Sequence, residues 1–465
     1  MTILHKKLRI GLALGVVLFA SQAANATSAT ETCRMEGKLS LALSHDQRQE
    51  REPGEFANVD LVADSFERTE ISGEVVVYAF LLTVGPGEHD LIRLYRVVRE
   101  KAPCKPRASQ APVFLLHGAT VDFRTSFLPS LLSAHVPREQ SFAIFLAQRG
   151  LDVWGLDMRS TLIPAETTDF AFMRDWNYET NIQDIAVSLG MARHLRRLTG
   201  HGFEQMHLVG WSNGGMLTYA YANDETRFPR GHRHVKGLVP VDIAFKFSPN
   251  DEQLRLDACT RAGVIRSLFL DVGIFPTDER ETRIIGFLAE TAPNAPSPFA
   301  PQFTNRTVGL FGGTLTWQVL FSPAFPPFVP FYHLHAGQFD SVSGLPIGLT
   351  FTRASSLFAL YQEFPSWWVW REFFELNALQ CNALDLPYDD HLAEVKVPVL
   401  YVGARGGFGQ YGDYSTTLLG SRDVTTLNVT LLPDQPLDFA HGDLFWADNA
   451  RTVAWAPILT WLRSH

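Results

Sequence analysis

The chain has 465 residues, 46% of them apolar and 19% charged, with a formal net charge of −9. These values supply material for a large core, exclude a mostly disordered chain, and lack the basic footprint that a nucleic-acid partner requires. The length suits one large α/β domain carrying a sizeable insertion, or about two or three ordinary domains.

Lys6, Lys7 and Arg9 precede an apolar run at 10–20, and Ala24, Asn25 and Ala26 follow it. That is the layout of a secretory signal peptide cut after Ala26, so residues 1–26 are read as a leader and the protein as secreted or periplasmic. Residues 27–70 form a polar N-terminal extension with a solvated charge run at 47–55. The even cysteine count fits export and predicts two disulfides. Pairing within each segment gives Cys33 with Cys104, and Cys259 with Cys381. No cysteine spacing suits zinc, and no residue cluster calls for a metal or organic cofactor.

Residues 74–82 and 90–98 read as strands joined through Gly85, Pro86 and Gly87, an opening hairpin. Short apolar runs at 111–118, 151–157, 206–210 and 237–242 read as strands, the first buried on both faces. Helical patterns lie between them at 142–149, 177–198 and 212–222. This alternation predicts an α/β fold with a mostly parallel central sheet flanked by helices. It breaks over 245–394, which is rich in proline and aromatic residues and reads as a large inserted cap or lid. It resumes with a strand at 395–403, a strand at 427–432 and a closing helix at 450–462. The core is thus expected in two parts, 71–244 and 395–465.

Gly210-Trp211-Ser212-Asn213-Gly214 lies between an apolar strand and a helix. In that context G-x-S-x-G makes a nucleophile elbow, with Ser212 held proud of the sheet. The base should follow the last strand, which selects His441 from fifteen histidines. Two backbone N–H groups should receive the oxyanion: Asn213, directly after the serine, and Ala119, after the strand that ends in His117-Gly118. His117 itself reads as a structural histidine that shapes this loop. Two carboxylates compete to orient His441. Asp242, at a strand end before the insertion, is preferred; Asp413, after a later strand, is the alternative.

At these residues the chain resembles the gastric and lysosomal acid lipases within the α/β-hydrolases. The likeness is carried by the stretch 89–97 that opens His89-Asp90-Leu91-Ile92, by Phe114-Leu115-Leu116-His117-Gly118, and by the stretches 146–154, 169–185 and 440–450. It spans 81–244 and 395–462. It implies hydrolysis of carboxylic esters, lipid esters among them, with Ser212 as nucleophile and His441 as base. Two departures stand out. Trp211 and Asn213 flank the serine where that family has His and Gln, and Gly407 and Phe408 stand where its acid would be.

The expected substrate is therefore a small-molecule or lipid ester, met in passing at a lipid surface, with no nucleic-acid partner and the oligomeric state open. The same site could transfer acyl groups to an alcohol or amine, or depolymerise a polyester. A catalytically silent hydrolase-fold binding protein is the reading from another class.

Overall fold

The computed structural model describes residues 59–62, 65–109, 111–138, 140–319 and 325–465. The expected leader, the charge run at 47–55 and the Cys33 half of the first disulfide lie outside the described residues.

Two edge strands, β1 (Asp60–Leu61) and β2 (Glu67–Ser72), pair with β3 (Val75–Thr83). β3 runs antiparallel to β4 (Leu91–Ala102), with Thr83 opposite Leu91, and this is the expected opening hairpin. Its turn is closed by Asp90, whose carboxylate accepts the Gly87 N–H at 2.9 Å. The short β5 (Lys105–Pro106) returns on β4. There follow β6 (Pro112–Leu116), α1 (Phe142–Gln148), β7 (Asp152–Asp157), α2 (Tyr178–Leu198), β8 (Met206–Trp211), α3 (Asn213–Glu225) and β9 (Val235–Val241). Asn177 caps α2 by accepting the Thr180 N–H, and Arg196 and Arg197 in its last turn complement the helix dipole.

The chain then leaves the sheet. It builds α4 (Glu252–Leu268), α5 (Arg280–Thr291), α6 (Asn305–Thr314), a two-stranded ribbon of β10 (Gly337–Phe339) and β11 (Pro346–Leu349), α7 (Ala354–Gln362) and α8 (Trp370–Cys381). α8 packs on α4, where Cys259 and Cys381 form the expected disulfide with Cα atoms 4.8 Å apart. β12 (Val399–Ala404) re-enters the sheet beside β9, followed by β13 (Val424–Val429) and the closing helix α9 (Ala456–Ser464).

The sheet order is β1-β3-β4-β7-β6-β8-β9-β12-β13, and the pairs from β7 onward are parallel. β6 lies between β7 and β8, so the strand order reverses there, and in open α/β sheets ligands gather at the carboxyl ends near such a reversal. Alternate residues of each strand enter opposite layers. Phe114 and Leu116 of β6 join a core with Ile182, Ile185 and Met216 of α2 and α3. Val113 and Leu115 join another with Phe142 of α1 and Ile458 of α9.

β12 starts four residues later than the expected 395 and β4 runs four residues past the expected 98, and two further elements differ for a clear reason. β13 begins three residues earlier than the apolar run at 427–432 suggested, because Thr425 and Thr426 of this edge strand face outward and carry no hydrophobic signal. The Leu431 and Leu432 N–H groups instead donate to the Asp438 carboxylate at 2.9 Å, off the ladder. The closing helix opens as a π-helical turn at Arg451–Trp455 before α9. Pro457 has no N–H to donate to the preceding turn, so a regular helix cannot run through it.

Candidate active site

Ser212 closes β8 and starts α3 with φ 57° and ψ −122°, a conformation that L-residues rarely adopt and that costs on the order of 1–3 kcal/mol. The surroundings enforce it. The Ser212 N–H donates to the Val241 carbonyl at 2.9 Å, and its own carbonyl accepts from Gly215 at 2.8 Å. A Cβ at Gly210 would lie 2.1 Å from the Gly214 oxygen, and one at Gly214 would lie 2.3 Å from the Leu116 oxygen. Both glycines of the motif are therefore required by close backbone approach. Gly118 is similar, since a side chain there would press on the Ser212 Cβ.

His117 is fully buried, its Nδ1–H donating to the Gly118 carbonyl at 2.8 Å and its Nε2 accepting the Met158 N–H at 3.2 Å. Burial pulls the imidazole down to about 4, so the ring is neutral, as these partners demand. Because the peptide is planar and trans, fixing the Gly118 carbonyl on this ring turns the Ala119 N–H the opposite way. Ala119 and Asn213 both line the cavity that holds Ser212 and His441.

Asp242 follows β9 with φ 49° and is completely buried. One carboxylate oxygen accepts the His441 Nδ1–H at 2.6 Å and the Phe408 N–H at 3.2 Å. The other accepts from the Ala404 and Gly409 N–H groups at 2.7 and 3.0 Å. A buried carboxylate needs such partners, and here every one except His441 is backbone. Asp413, in contrast, accepts both its contacts from the Asn428 amide, at 2.9 and 3.1 Å. The structure thus brings Asp242, not Asp413, to His441. A Cβ at Gly407 would stand 1.9 Å from the Asp242 carboxylate. The carboxylate reaching across from β9 fills the space that a residue-407 side chain would take.

The cavity has a volume of about 400 Å³. Trp211, Tyr332, Phe408 and Trp446 form its wall beside His441, with Trp211 and Tyr332 rings centred 5.2 and 5.4 Å from the imidazole. The segment between β9 and β12 adds Phe328, Trp370, Phe373, Thr277, Glu279 and Asn377 to the lining. Among the described residues no group of three or more His, Cys, Asp or Glu side chains is placed to hold a metal ion.

No family model matches the sequence, and no curated protein matches it. Solved structures do. A candidate lipase from Sulfolobus solfataricus superposes with a TM-score of 0.59 at 17% identity, over 88% of this chain and 99% of that one. This chain has the α/β-hydrolase fold. Two further hydrolase-fold structures are similar at lower TM-scores. One is a monoglyceride lipase from Saccharomyces cerevisiae with a substrate analogue (TM-score 0.39, 11% identity, 86% and 94% of the two chains). The other is an enol-lactonase from Burkholderia xenovorans LB400 (0.38, 12%, 80% and 97%).

Within this hydrolase fold, sequence reasoning overlooked what the insertion contributes. The His441 and Gly442 N–H groups donate to the His333 and Leu334 carbonyls, at 3.3 and 2.7 Å. Asp443 accepts from the Ala440 and Ala336 N–H groups, the Thr352 hydroxyl and the His335 Nδ1–H, at 2.7–3.1 Å. His333 and His335 therefore brace the loop that carries His441. On the other side of the site, Glu372 of α8 accepts from the Asn213 amide at 3.3 Å. The sequence offers no spacing that would have linked these distant residues.

Proposed function

We propose that this protein is a serine hydrolase that cleaves carboxylic esters through a Ser212–His441–Asp242 triad and an acyl-enzyme, and that it is exported by its N-terminal leader. The observation that carries the reading is the buried Asp242 carboxylate on His441 Nδ1, with Ser212 strained at a helix start on the same cavity. Asp242 holds the Nδ1–H tautomer, which leaves Nε2 free to take the Ser212 proton. The serine oxygen then attacks the ester carbonyl, and the Ala119 and Asn213 N–H groups receive the developing alkoxide. His441 returns the proton to the departing alcohol. It next activates water, which attacks the acyl-enzyme and frees Ser212.

A cavity of about 400 Å³ falls in the range for a single compact ligand. Its aromatic wall suits an apolar acyl group, so the reading favours a compact ester of short to medium chain. Hydrolysis of p-nitrophenyl esters of increasing length, together with fluorophosphonate labelling, tests this reading. Labelling that is lost in Ser212→Ala is the expected outcome. Folded wild-type protein that neither labels at Ser212 nor hydrolyses any ester of the series would overturn it and favour the binding-protein alternative.

A further inference from the structure

The oxyanion site has a second layer that the proposed reaction does not use. The Asn213 side chain is gripped from two elements. Tyr178, the first residue of α2, donates its hydroxyl to the Asn213 Oδ1 at 2.5 Å. The Asn213 Nδ2 donates to Glu372 Oε2 at 3.3 Å, across 159 residues of sequence. Glu375, one turn further along α8, accepts the Tyr178 backbone N–H at 2.8 Å, so the same two elements are tied twice. Glu372, Asn213 and Tyr178 are all buried.

We propose, resting on the reading above, that Glu372 is a positioning residue for the oxyanion site: through the Asn213 side chain it fixes the peptide whose N–H follows Ser212. The proposal makes the insertion part of the catalytic scaffold as well as a cover.

Glu372 performs this task as an uncharged acid. Burial pushes its carboxyl up to about 8, and neighbouring Glu375 and Asp184 add to the rise against the pull of the Asn181 and Asn213 amides. The groups that face it are known from each packed element. From α8 there are Glu375 and, beside it, Arg371. From α2 there are Tyr178, Asn181 and Asp184, the last paired to Arg159 at 2.7 Å. Tyr388 lies against Glu375 from the segment after α8. Among the described residues no cation forms an ion pair with Glu372 itself. Ionising it would therefore place an uncompensated negative charge behind the residue that must stabilise an oxyanion, and at low local dielectric that opposes the reaction. The sign follows directly: activity is supported below about pH 8 and lost as pH rises through that value.

The test uses full-length mature protein, p-nitrophenyl butyrate as substrate, and kcat and KM from about pH 6 to pH 9.5. Wild type should lose kcat with a midpoint near pH 8. Glu372→Gln, which mimics the neutral acid, should keep kcat at pH 7 within about twofold and lack that alkaline loss. Glu372→Ala should lower kcat about tenfold with KM nearly unchanged, since the Asn213 amide loses its acceptor. An alkaline limb of the same midpoint in Glu372→Gln would overturn the proposal, whether or not the alanine variant folds. Fluorophosphonate titration of wild type separates the two failures. Wild type that labels at Ser212 and turns over, with an unchanged limb in the glutamine variant, defeats only this inference. Wild type without labelling or turnover defeats the reaction itself.

Discussion

The sheet-derived half of the site and the half supplied by the insertion are held by different means. Around Ser212 and Asp242 the contacts are overwhelmingly backbone: strand-end N–H groups on the carboxylate, and glycines packed against carbonyls at 210 and 214. Both residues sit at positive φ, a strain that only a rigid surround maintains. The insertion adds side-chain contacts to the backbone bonds that His333 and Leu334 make to the His441 loop. Arg261 spans the Asn377 and Gln380 side chains and the Pro326 and Pro327 carbonyls, a disulfide joins α4 to α8, Glu372 reaches the elbow, and His335 and Thr352 reach Asp443 on the His441 loop. The difference teaches that reacting atoms are placed by backbone that cannot relax, while their outer support can be retuned one side chain at a time.

The sharpest way to break this comparison is at the sheet. Ser212→Ala and Asp242→Asn should each lower kcat by roughly 10⁴-fold or more, the second through loss of the productive His441 tautomer. Asp413→Asn should stay within about twofold in the same ester assay, because its carboxylate accepts from Asn428, whereas the His441 ring is held by Asp242. A large loss there with little effect at Asp242 would reverse the assignment of the acid. Next in size is Gly407→Ala. The new methyl would collide with the Asp242 carboxylate, and displacing it by about an ångström should cost around 10²-fold in kcat.

The insertion should answer more softly. Asp443 stands on the His441 loop, and Asp443→Asn weakens its three contacts to the insertion, so about a tenfold fall in kcat at steady KM is expected. The smallest kinetic effect belongs to the disulfide. Replacing Cys259 and Cys381 by serine opens a link across 122 residues and should lower unfolding stability by about 2–4 kcal/mol in urea titration. Its kcat should change by less than about threefold, and a collapse of activity in folded protein would show that the insertion is not the softer half.

The same division explains what could be read from the sequence. Strands β6, β8 and β12 are buried on both faces and apolar but for His207, so their runs and the glycines beside Ser212 are plain in the sequence. The neighbourhood of Asp242 was readable because a strand-end aspartate between Val241 and Ile243 had nowhere solvated to go. β13 was misplaced because an exposed edge strand needs no apolar face. The bonds from Glu372 to Asn213 and from Asp443 to Ala336 join residues more than a hundred positions apart, and no local period encodes such pairs.

The space at Gly407 carries one more consequence. From the imidazole's side, the ends of β9 and β12 are interchangeable addresses: either can deliver a carboxylate to the same point, provided the other yields the room. What the ring requires is an occupant, not a lineage of chain positions. A glycine facing an aspartate across two adjacent strands is thus a lock-and-key signature in its own right, in which the missing side chain is as informative as the one that is present.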